Sequence, residues 1–113
     1  MQVISLTSRP VWASETVTVD ATAGGVGLTA ATLIKQTGGD ANQISRARVA
    51  FITVEDNEIR MNLDPGVTVT ATTNGHELAA GTSVVLDGTA VLNDVRFIRT
   101  GAGSGVIRVT YYG

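Results

Sequence analysis

The chain has 113 residues, 43% of them hydrophobic and 16% charged, with a formal net charge of −2 and no cysteine. That length holds one domain, which buries roughly two-thirds of its unfolded surface, and the composition excludes long disordered segments. The balance argues against a general nucleic-acid binder, which needs a basic face, and the lack of thiols excludes disulfides and thiolate metal sites.

Met1 to Trp12 is a distinct opening segment. Val3, Ile4 and Leu6 are apolar, Ser8-Arg9-Pro10 breaks the run, and the proline holds Arg9 extended. The segment lacks the basic start and long apolar run of a signal peptide. No stretch approaches the about 20 apolar residues of a membrane span, so a soluble product made in a cytosol is expected. Two placements stay open for residues 1–12, an edge strand of the domain or an arm laid on a neighbouring subunit.

Glu15 to Asp20 alternates as a short strand, with Val17 and Val19 on one face and Thr16 and Thr18 on the other. After Gly24-Gly25, the stretch Val26 to Gln36 reads as strand or short helix, and its threonines and flanking glycines favour strand. Gly38 to Asn42 is a loop by composition.

Arg46 to Asp64 is the centre of the pattern. In its first arm Val49, Phe51 and Thr53 point one way and Ala50, Ile52 and Val54 the other. An arm apolar on both sides is expected to be buried on both. Asp56-Asn57-Glu58 supplies turn chemistry, and the second arm alternates Ile59, Met61 and Leu63 against Arg60, Asn62 and Asp64, so the stretch predicts a hairpin. Asp64-Pro65-Gly66 is a turn, Val67 to Thr72 a further strand, and Asn74-Gly75 a two-residue turn signal from which Glu77-Leu78 pairs back. Ser83 to Leu86, Asp94 to Thr100 and Val106 to Tyr112 complete the strands. Turns recur every 8 to 12 residues or so, the spacing of a sandwich or barrel. The expected fold is all-β: one antiparallel β-sandwich or jelly-roll-like barrel over residues 1–113, with an N-terminal strand or arm.

No catalytic constellation emerges. His76 is the only histidine and stands beside a turn, whereas catalytic or zinc roles need several partners. Glu55 to Glu58 is the densest acidic cluster, but it lacks an EF-hand pattern and reads as a solvated tip. Carboxylate pairs for glycoside hydrolysis must face one another about 5 to 9 Å apart, which nothing in the spacing requires. The glycine-rich run Gly101 to Gly105 precedes a strand rather than the helix that a phosphate-cradling loop needs. No enzyme, cofactor or metal site is expected. What remains is apolar surface. Trp12 and the Tyr111-Tyr112 pair are aromatic candidates for interface anchors, with ordinary core and rim as the alternative. Lys35 is the sole lysine among eight basic residues; this arginine bias suits fixed ion pairs and interfaces, and plain composition bias accounts for it equally well.

The order of motifs carries a resemblance. GLTAATL (27–33), ARVAFITVEDNEIRMNLDPG (47–66), TATTNGHELAAGTSVVLDG (70–88) and VRFIRTGAGSGVIRVTYYG (95–113) follow in succession. This order resembles a family of small tailed-phage virion proteins and their prophage-encoded relatives. The family has a strand ending in Val-Glu, an IR-x-x-x-D-G strand and turn, a TATTxGxxLxAG step, an L-x-G turn and a closing F-x-x-I-x-x-G with L-x-V-x-Y-Y. Two departures are Pro65 inside the Asp-Gly turn and Val67 where proline is common.

The resemblance implies a β-sandwich or jelly-roll-like particle component rather than an enzyme. Within that group a capsid cement or decoration protein is favoured: a homotrimer on the outer head shell that clamps the major capsid protein, made in the host cytoplasm, without nucleic-acid or membrane partners. Candidate subunit and capsid contacts are Val3, Ile4, Leu6, Arg9, Trp12, Phe51, Arg60, Tyr111 and Tyr112. A tail, neck or fibre component of the virion and a carbohydrate-binding β-sandwich module remain as alternatives.

Overall fold

The computed structural model describes residues 11–29, 34–36 and 44–113. The strands are β1 (Val11–Val19), β2 (Ile34–Gln36), β3 (Ile44–Arg46), β4 (Val49–Asp56), β5 (Ile59–Asn62), β6 (His76–Leu78), β7 (Ser83–Asp87), β8 (Arg96–Arg99) and β9 (Gly105–Tyr112). Among the described residues one short helix, α1 (Thr89–Asp94), lies between β7 and β8. The fold is all-β and antiparallel. One sheet has the order β1-β9-β4-β7, a second has β6-β5-β8, and β2 pairs with β3 alone.

Alternation explains the first sheet. Ile107, Val109 and Tyr111 of β9 and Ala50, Ile52 and Val54 of β4 point inward and are at most 1% exposed. Ile59, Met61 and Phe97 meet them from the second sheet, and Leu28, Leu92 and Val95 complete one shared core. On the other face of β4, Val49 is buried while Phe51 and Thr53 are half-buried. The two-sided apolarity of this arm therefore corresponds to one fully buried face and one partly open face.

The expected hairpin at Arg46 to Asp64 does not form. β4 pairs with β7 and β9, whereas β5 pairs with β6 and β8, so the chain changes sheets at the acidic turn. The physical cause is local. A register shift against β9 lies between Val54 and Asp56, and Asn57 adopts a left-handed backbone with φ of 54°. A bulge followed by a left-handed residue bends the strand and redirects it. Asn57 Nδ2 donates to the Ser104 carbonyl at 2.9 Å, fastening the corner to the turn before β9.

Val67 to Thr72 is not a strand either. It runs as irregular chain over the outer face of β5, and Val69 is buried there at 1% exposure. The side chains of β5 supply its backbone partners. Asn62 Nδ2 donates to the Asp64 and Val67 carbonyls at 3.0 and 2.7 Å, and Arg60 donates to those of Ala71 and Gly75. Consequently Arg60 and Asn62, expected on a wet face, are buried. The Asn74-Gly75 signal does mark left-handed backbone, at φ of 64° and 122°, but β6 pairs with β5 rather than with the preceding segment.

Between the sheets, Val26 exchanges backbone hydrogen bonds with Phe97 at 2.7 and 2.8 Å, and Arg99 N–H donates to the Asp20 carbonyl. The chain leaving β1 thus runs along the β8 edge of the second sheet. Of the stretch Val26 to Gln36, read as strand or short helix, Val26 forms an isolated bridge, residues 27–29 are irregular and Ile34–Gln36 is β2; residues 30–33 and the loop expected at Gly38 to Asn42 lie outside the described residues. Val11 and Trp12 belong to β1, the edge strand of the first sheet.

Candidate assembly interface

The outward face of the first sheet is built from every second residue of four strands. Register places Val85, Phe51 and Thr110 in one row and Asp87, Val49, Tyr112 and Val11 in the next. Side chains opposite one another in an antiparallel ladder share a face, and diagonal neighbours lie within reach of aromatic rings. Phe51 and Tyr112 are therefore diagonal neighbours on that face. Val11 is 64% exposed and Val85 38%, Phe51 and Tyr112 are half-buried and Val49 is buried, so this end of the sheet is a partly covered apolar patch bordered by the exposed Asp87. The next row is polar. Arg108 Nε pairs with Glu55 Oε1 at 2.6 Å on exposed side chains, a contact worth little in stability, and Thr53 and Thr16 flank Arg108. An apolar end beside a charged and hydroxylated end is the composition of an interface core and rim.

Trp12 and Tyr111 meet elsewhere, at the inner edge of the sheet. Their rings are edge-to-face, with centroids 6.2 Å apart and planes at 83°. The register of β1 against β9 shifts between Val11 and Ala13, and the resulting bulge lets Trp12 turn onto the core while Val11 stays outside. Tyr111 is fully buried. Its hydroxyl donates to Glu15 Oε2 at 2.5 Å, and Glu15 Oε1 accepts from the Thr29 hydroxyl at 2.6 Å. Burial, followed by the hydrogen bond and charge of Glu15, raises the Tyr111 pKa well above the ordinary phenol range.

Arg60 stands apart from both groups, in the second sheet. Beyond its two carbonyl acceptors it pairs with Glu77 through Nη2 at 2.7 Å. It anchors a loop. Val3, Ile4, Leu6 and Arg9 lie outside the described residues. The structure thus joins Phe51 to Tyr112 and Trp12 to Tyr111, and separates Arg60 from all four.

Sequence reasoning missed Val11 and Val85. A usable signal for Val85 was present: Val84-Val85-Leu86 is apolar on both faces, the same feature that singled out the arm at Val49 to Val54. His76 is exposed on β6 opposite Met61. Thr100 donates its hydroxyl to the Glu58 carbonyl and carboxylate, both at 3.1 Å, which ties the acidic tip to the glycine-rich turn. Among the described residues no group of three or more histidine or acidic side chains is placed to hold a metal ion, and no helix is long and apolar enough to cross a membrane. Compared with family models, with curated proteins and with solved structures, the chain gives no significant match.

Proposed function

We propose that the chain is a non-catalytic structural protein of a tailed-phage virion, a capsid cement or decoration protein that binds the outer head shell. The two sheets are read as the layers of a jelly-roll-like β-sandwich, and the working unit as a homotrimer clamping neighbouring copies of the major capsid protein. The observation that carries this reading is the open apolar end of the first sheet, where Val11, Phe51, Val85 and Tyr112 share one face. The motif order over residues 27–113 directs it to the phage family. Multivalent attachment lets a modest contact at each site suffice, and preference for the mature lattice stabilises that lattice by linkage.

The test is sedimentation of purified protein with undecorated phage heads. Saturable co-sedimentation, with heads that then withstand higher temperature, is the expected result. Protein that stays in the supernatant at every concentration overturns the head assignment.

A further inference from the structure

Asn74 and Gly75 lie in the loop between β5 and β6, which the assembly reading does not use. Asn74 is exposed, with left-handed φ of 64°, and Gly75 follows at 122°. Gly75 presents no Cβ to obstruct approach to its nitrogen, and among the described residues its N–H donates to no backbone carbonyl. The Asn74 amide is at the surface, held by donation from Nδ2 to the Thr68 carbonyl at 2.9 Å. The other asparagines precede residues with side chains, namely Gln43, Glu58, Leu63 and Asp94.

From this geometry we propose that Asn74 is a self-modification site, converting to aspartate and isoaspartate through attack by the Gly75 backbone nitrogen on Asn74 Cγ. The new N–Cγ bond forms as the Cγ–Nδ2 bond breaks, and Nδ2 leaves as ammonia with the proton lost from the Gly75 nitrogen. Water then opens the cyclic imide at either carbonyl. No oxidant or reductant takes part.

The location gives the conversion a consequence. Arg60 Nη1 donates to the Gly75 carbonyl at 3.3 Å, and Nη2 is held by Glu77. An isoaspartyl link routes the main chain through the former side chain, adding a methylene between residues 74 and 75. The Gly75 carbonyl then shifts relative to a guanidinium that Glu77 keeps in place. Conversion therefore loosens the chain of residues 67–75 from β5.

The full chain, aged in mildly alkaline buffer, is followed by fragmentation mass spectrometry and by labelling with an isoaspartyl methyltransferase. Position 74 is expected to convert ahead of every other asparagine and to take the label, while amide deuterium exchange over residues 67–75 rises about tenfold, as local opening becomes easier. An Asn74→Gly chain, which tolerates the left-handed backbone but lacks the bond to the Thr68 carbonyl, is expected to take no label and to show the same exchange before and after ageing. The chain unfolded in urea provides the reference for the bare sequence. Absence of conversion in the folded chain, while the unfolded chain converts, overturns the site; conversion with unchanged exchange overturns the loosening.

Discussion

The Tyr111 hydroxyl donates to the Glu15 carboxylate at 2.5 Å, tying the last strand to the edge strand across 96 residues of sequence. The phenol is buried and its pKa lies above its ordinary value, first through burial and then through Glu15. A folded pKa above the unfolded one gives stability that is complete below about pH 10, the ordinary tyrosine value, and is lost as pH rises beyond it. Tyr111→Phe should cost about 1.5–3 kcal/mol at neutral pH, the worth of a hydrogen bond to a charged group. The same variant should lose stability less steeply than the parent above about pH 10. Urea melts on both sides of that pH check the two signs.

Arg60 holds the second sheet to its covering loop. Its guanidinium is buried, but Glu77 is 59% exposed, so removing Arg60 leaves no buried orphan charge. Arg60→Met should cost about 2–3 kcal/mol, from lost charge-assisted bonds and exposed loop carbonyls. Thermal melts give the magnitude, and faster amide exchange confined to residues 67–77 would identify the loop as the part released.

Two glycines offer a matched pair. A Cβ on Gly105 would collide with Ile59 Cγ2 and stand 3.1 Å from the Asp56 carbonyl oxygen, whereas one on Gly101 meets nothing within 4 Å. Gly105→Ala should destabilise by about 1–3 kcal/mol through overpacking where the chain changes sheets. Gly101→Ala should stay within about 0.5 kcal/mol of the parent. Chemical denaturation of the two variants side by side decides it.

Val85 separates interface from core. Placing a charge among Val11, Phe51 and Tyr112 should cost binding without costing the fold. Val85→Lys should change stability by about 0.5 kcal/mol or less and weaken head binding at least about tenfold, as an interface residue does. Thr68→Lys, on an exposed residue of the loop over the other sheet, should leave sedimentation with heads unchanged.

Much of the fold was legible because strand alternation is local. Ala50, Ile52 and Val54 were separable from Val49, Phe51 and Thr53 by period alone, and the structure buries the first set completely. The candidate site was legible only in pieces. Phe51 and Tyr112 stood out as large apolar side chains, but their proximity depends on β4 lying beside β9, a pairing between residues far apart in sequence. Arg60 showed the reverse. Its alternation with Ile59 and Met61 pointed to solvent, and the loop that buries it offered no periodic signal because carbonyls, not side chains, hold it in place.

By itself the sequence determined the all-β class, most strand positions and the division of β4 into two side-chain faces, since these follow from side-chain period and turn chemistry. Only the tertiary structure decided which strands are neighbours. A polar turn such as Asp56-Asn57-Glu58 permits a hairpin or a change of sheet equally, and the bulge at Glu55 with the left-handed Asn57 selects the second. The open apolar end of the first sheet follows from that choice. Had β5 paired with β4, it would have taken a flank of β4 that β7 or β9 now occupies, and the row joining Val85, Phe51 and Thr110 would not exist.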